Sequence, residues 1–168
     1  MSLFQELILI SLGKRDGFSR RLTDKDWTSI YTEAQRQSLV GVLLKGVEKA
    51  IDSGENKPKF LMQWIAQTLT LENRNRQLDA RCKDITEIFN GIGLRNCVLK
   101  GQGVALLYLN PLRRQCGDID LWVEGNREEI YRILKARWNV GETVDPPCGG
   151  GDIQGHTYRD SFYTEFYI

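Results

Sequence analysis

Val98-Leu99-Lys100-Gly101-Gln102-Gly103-Val104-Ala105-Leu106-Leu107-Tyr108 and, beyond Pro111, Arg113-Arg114-Gln115-Cys116-Gly117-Asp118-Ile119-Asp120-Leu121-Trp122-Val123 are the stretches whose reading decides the fold. Asn96 to Leu99 is a short β-prone run, Gln102 to Leu109 has a helical pattern, and Ile119 to Val123 is a second apolar run that stops at Glu124-Gly125-Asn126. Strand, turn, helix and strand follow one another. Along a strand alternate side chains share a face, so Asp118 and Asp120 converge while Ile119 and Leu121 turn to the core. Two carboxylates on one face suit a hard cation such as Mg²⁺ (or Mn²⁺), which takes oxygen ligands and leaves positions for water and phosphate oxygens. Lys100-Gly101-Gln102-Gly103 sits between strand and helix, where glycine admits close backbone approach and a helix start offers N–H groups to phosphate. Taken singly, an Asp-x-Asp is a solvated strand edge, a Lys-Gly-x-Gly an ordinary turn, and Arg113 and Arg114 surface residues. Their order and spacing together point to a site.

Outward from this segment the pattern is helical on both sides. Asn126 with Glu129 resembles a capping box, and Ile130, Ile133 and Leu134 give the helix that follows an apolar face. Toward the amino terminus, Leu61, Trp64, Ile65, Thr68, Leu71, Asn75, Leu78, Cys82, Ile85 and Phe89 recur at three and four residues and predict one long helix opened by Pro58. Val40, Leu43, Leu44 and Val47 mark another, and Trp27, Ile30, Tyr31 and Ala34 mark one behind a Thr23/Asp26 capping box. Leu3 to Leu12 predicts a short buried helix closed near Gly13. We therefore expect an α+β (α/β) fold, with residues 1–92 a helical packing layer, 93–145 a core of strand, loop, helix, strand and helix around a small mixed sheet, and 146–168 an atypical tail.

The composition excludes several function classes. With 41% hydrophobic and 27% charged residues the chain reads as globular, and no apolar run approaches the roughly 20 residues that cross a bilayer. A cytoplasmic protein with no membrane partner is expected. The formal charge of +1 supplies no field for a long nucleic acid. Cys82, Cys97, Cys116 and Cys148 form no CxxC pair, so free thiols are expected rather than a zinc site or a disulfide framework.

Val98 to Val123 resembles the core of the uncharacterised nucleotidyltransferase family of the DNA polymerase β-like superfamily. There a strand leads into Lys-Gly, a helix ends in an aromatic residue, and an Arg precedes Asp-Ile-Asp-Leu-hydrophobic-Val. Lys100, Gly101, Tyr108, Arg114, Gly117, Asp118, Asp120 and Val123 match position by position. The resemblance implies transfer of a nucleoside monophosphate from an NTP to an unknown acceptor, a small molecule or a protein. Asp118 and Asp120 would be catalytic and hold the metal. Lys100, Gly101, Gln102, Gly103 and Arg114 would bind the phosphates. Superfamily relatives carry Gly-Ser where Gly101-Gln102 stands, so Gln102 or backbone N–H groups would take over the serine's contact. A third carboxylate is expected on a neighbouring strand. Glu142, Asp145, Asp152, Asp160 and Glu165 are available, none in a convincing strand pattern. The competing reading is a catalytically inactive nucleotide-binding or protein-interaction module with the same fold. A purely structural helical protein would account for the amino-terminal half but not for Lys100 to Asp120.

The resemblance calls for a strand pair after Asp145, whereas Pro146-Pro147-Cys148-Gly149-Gly150-Gly151 is hostile to strands. A back-translation of the following residues, with one cytosine removed near Pro146, reads as two alternating strands with an acid where the family places its third. We therefore expect a one-base frameshift beyond Asp145, and with it missing strands and self-association through exposed sheet edge. The other reading is an authentic glycine loop leading into an aromatic edge strand, Tyr158 to Tyr167. His156 then has no catalytic meaning.

Overall fold

A computed structural model describes residues 1–117, 119–137, 153–158 and 161–166. It divides into two compact units: residues 1–74 with 112–115, and residues 75–111 with 116–168.

The first unit is helical. Ser2 and Gln5 form a reciprocal capping box at the start of α1 (Leu3–Ser11), and Thr23 and Asp26 form another at the start of α2 (Asp24–Arg36). α3 (Val40–Asp52) follows, and the first part of α4 (Leu61–Gly91) completes the unit. Trp27, Ile30, Tyr31 and Ala34 of α2, Val40, Leu43, Leu44 and Val47 of α3, and Trp64 of α4 are buried in one apolar cluster. Each sits where its three-and-four spacing put it. Trp64 carries a polar atom into this cluster, and its indole N–H donates to the Val40 carbonyl at 2.8 Å. Glu6, 3% exposed, accepts from both the backbone N–H and the hydroxyl of Ser19 at 2.7 Å, which anchors the segment after α1.

The second unit is a sheet with helices against it. β1 (Asn96–Val98) lies antiparallel to β2 (Ile119–Val123), β2 pairs with β4 (Ser161–Phe166), and β4 pairs with β3 (Ile153–Tyr158), giving the order β1-β2-β4-β3. All of these pairings are antiparallel. The link from β1 to β2 contains only α5 (Lys100–Ala105) and a 3₁₀ turn at Pro111–Arg113. A helix this short cannot return the chain along a sheet face as a parallel crossover requires. Ile119, Leu121 and Val123 of β2 are buried with Leu78, Cys82, Ile85 and Phe89 of α4 and with Ile130 and Leu134 of α6 (Arg127–Arg137). No helix among the described residues is long and apolar enough to cross a membrane.

Two boundaries differ from the sequence reading. The expected helix from Gln102 to Leu109 starts at Lys100 and ends at Ala105, and Leu106, Leu107 and Leu109 are exposed. Gly101, at φ +24° and ψ −108°, interrupts its first turn, and at its far end the Leu107 and Tyr108 N–H groups bond three residues back, to the Val104 and Ala105 carbonyls, so the chain tightens into turns instead of continuing the α-helix. Glu165, in a strand only on the alternative reading of Tyr158 to Tyr167, lies in β4. Residues 138–152, where the expected break after Asp145 falls, are outside the described residues, as are Glu142, Asp152 and Asp160.

Candidate active site

β1 and β2 bring Lys100 and Asp120 together. Val98 is paired with Leu121, and the Leu99 N–H donates to the Asp120 carbonyl at 2.8 Å, so the turn that follows β1 stands beside the start of β2. Asp120 alternates with the core residues Ile119 and Leu121, yet its side chain is only 4% exposed. A carboxylate there needs charged or polar partners. One is the Lys100 ammonium, with Nζ 3.5 Å from Oδ1 and the lysine side chain 64% exposed. The ammonium therefore has one flank on the carboxylate and another on solvent, where an anionic ligand can reach it. Asp118 lies outside the described residues, and among the described residues no three metal-ligating side chains cluster.

The turn between β1 and α5 is built by its glycines. Gly101 has the positive φ that side chains disfavour. A Cβ on Gly103 would lie 2.6 Å from the Val98 carbonyl oxygen, so α5 presses directly on the end of β1. Gln102, between them, points inward. It is 7% exposed, and its side-chain amide nitrogen donates to Asp79 Oδ1 and to the Asn75 carbonyl on α4. Both amide hydrogens are thereby used. What Gln102 can offer a phosphate is its backbone, not its side chain. The sequence reading missed Asp79, which lies off the apolar stripe of α4 and gives no local signal.

Arg113 and Arg114 belong to the segment 112–115, which packs in the first unit. There Arg113 donates from Nε to Glu72 Oε1 at 2.9 Å and lies 3.9 Å from Glu48. A Cβ on Gly41 of α3 would meet the Arg113 carbonyl at 2.5 Å, so this segment is seated tightly on α3. Arg113 is thus a structural anchor beside Arg114. The buried thiol of Cys82, behind the site on α4, is pushed up to about 11 by burial first, then by Asp79 and Cys116.

A family model described as uncharacterised nucleotidyltransferase matches residues 23–145, which include the Lys100 turn, Arg114 and the Asp118-Ile119-Asp120 run. The chain belongs to that family. No curated protein and no solved structure matches it. The match takes in most of the helical unit as well as β1, α5, β2 and α6. In this nucleotidyltransferase the helices Asp24–Arg36, Val40–Asp52 and Leu61–Gly91 are therefore part of the family's own architecture, not an appendage to it.

Proposed function

We propose that this nucleotidyltransferase is metal-dependent and moves a nucleoside monophosphate from an NTP to an acceptor hydroxyl or similar group on a small molecule or protein. The observation that carries the reading is the buried Asp120 carboxylate 3.5 Å from the Lys100 ammonium, whose side chain is largely exposed, at the glycine turn after β1. The acceptor oxygen forms a bond to the α-phosphorus while the bond from that phosphorus to the β-bridging oxygen breaks. Pyrophosphate takes the electron pair, and the acceptor's proton passes to a nearby base or water. Lys100 holds the triphosphate as a point charge, and backbone N–H groups of the turn ahead of Gly103 orient it.

Asp118 and Asp120 would hold Mg²⁺ or Mn²⁺, whose oxygen preference fits a carboxylate set. Bound there, the ion would neutralise charge developing on the phosphates. Glu165 is the backbone register partner of Asp120 across β2 and β4. It is our candidate for the third carboxylate.

The test is incubation with each NTP, labelled on the α-phosphate, with Mg²⁺ or Mn²⁺, followed for pyrophosphate release and transfer of label. Turnover that disappears in Asp120→Asn supports the proposal. Tight NTP binding without pyrophosphate release would mark a nucleotide-binding module instead, and no binding of any NTP would refute both.

A further inference from the structure

We propose that Gln102 and Asp79 are positioning residues that fix the phosphate turn onto helix α4. The inference rests on the reading that this turn receives a triphosphate.

Residues 101–103 are constrained from several sides, and only one constraint is a polar side chain. Gly101 supplies a conformation other residues disfavour, but the same freedom lets it leave that conformation. Gly103 is held by contact with the Val98 carbonyl and by its N–H, which donates to the Leu99 carbonyl at 3.2 Å, and both restraints come from the end of β1. A restraint from the opposite side comes from Gln102. Its amide bonds the Asp79 carboxylate and the Asn75 carbonyl, and so joins the turn to a helix whose Leu78 and Cys82 are core residues. A bond to an ionised acceptor is stronger and more directional than a neutral one. Among the described residues, Gln102 Oε1 is buried without a hydrogen-bond partner. Burying that oxygen costs stability, and an apolar side chain of similar size would fill the place without the cost. The polar link therefore makes more sense as orientation than as packing. It also explains the departure from Gly-Ser. The side chain after Gly101 grips the scaffold behind the turn, and Lys100 with the backbone amides faces the phosphate.

The experiment compares Gln102→Leu, Asp79→Leu and Asp79→Asn with wild type in the full chain. Hydrogen–deuterium exchange of the amides of residues 100–103 is followed without nucleotide, alongside NTP affinity with Mg²⁺ and the melting temperature. Loss of the charge-assisted bond should speed exchange at the turn and weaken NTP binding by about tenfold each in the two leucine variants. Melting should shift little, because Asp79 is exposed. Asp79→Asn retains an oxygen acceptor and should recover both readouts to within about twofold. In turnover assays the loss should fall mainly on KM. If Gln102→Leu does not fold, Asp79→Leu and its Asn counterpart carry the test. Wild-type exchange at the turn in Asp79→Leu would overturn the proposal, as would losses that track global melting with no recovery in Asp79→Asn. Should wild type bind no NTP, the nucleotidyltransferase reading fails, while the exchange measurement still decides whether the link fixes the turn.

Discussion

Replacing Gly103 with alanine tests the turn at its tightest point. The added Cβ would lie 2.6 Å from the Val98 carbonyl oxygen and 3.3 Å from its carbon, both backbone atoms with no rotamer to yield. Either α5 lifts from the end of β1 or the strand end moves. Overpacking of this kind costs about 1–3 kcal/mol, while exchanging glycine for alanine within a helix returns up to about 1 kcal/mol. The net expectation is a loss of about 1–2 kcal/mol. In a chain of 168 residues that lowers the melting temperature by about 2–8 °C. Gly91→Ala, at a position where a Cβ would meet nothing within 4 Å, should leave melting unchanged or slightly raised. Calorimetry of the two variants beside wild type reads the difference, and NTP affinity should fall only in Gly103→Ala. Equal or higher melting of Gly103→Ala with unchanged NTP affinity would refute the claim that α5 is seated directly on β1.

Lys100→Ala should weaken triphosphate binding by at least about tenfold while changing stability by no more than about 1 kcal/mol, because the lysine side chain is 64% exposed. Titration calorimetry beside thermal melting separates the two, and equal NTP affinity would show Lys100 to be an ordinary surface lysine. Among the described thiols, Cys97 is exposed whereas Cys82 and Cys116 are buried, so alkylation of the native protein at pH 8, localised by mass spectrometry, should mark Cys97 first. Cys82 also bears on alkaline stability. Its folded thiol keeps its proton up to about 11 while the unfolded chain ionises near 9, so stability is lost as pH rises through that window, and Cys82→Ala should flatten this part of the profile. Glu6 acts at the other end. Burial raises its proton affinity, but the hydroxyl and amide of Ser19 and the Arg15 guanidinium outweigh burial and hold it below its usual value. The stability it contributes is present above about pH 4.5 and lost as pH falls through the lowered value, so Glu6→Gln should be less acid-sensitive than wild type in urea titrations.

The contrast between the two units shows what a single sequence can reveal. In α4 the stripe from Trp64 to Phe89 is legible because helical burial repeats every three or four residues, and tertiary contacts only complete what the period states. β2 is legible for the analogous reason, since its apolar Ile119, Leu121 and Val123 recur at every second residue, although Asp120 between them is buried as well. The turn behaves differently. Its residue types were evident, but the direction of Gln102 was not, because an amide after a glycine can face a ligand or the scaffold with equal local sense. Only the arrival of Asp79, remote in sequence, decides it. Arg113 is a parallel case, since its role depends on Glu72 and Glu48 and nothing in Arg113-Arg114 separates anchor from ligand. Charged and amide side chains lie ambiguous in a sequence because their partners carry the information, whereas apolar side chains carry it in their own spacing. For this nucleotidyltransferase the consequence is specific. Substitution of Asp79, which belongs to neither the Lys-Gly nor the Asp-Ile-Asp run, should disturb nucleotide handling through Gln102, and surveys confined to those runs would overlook it.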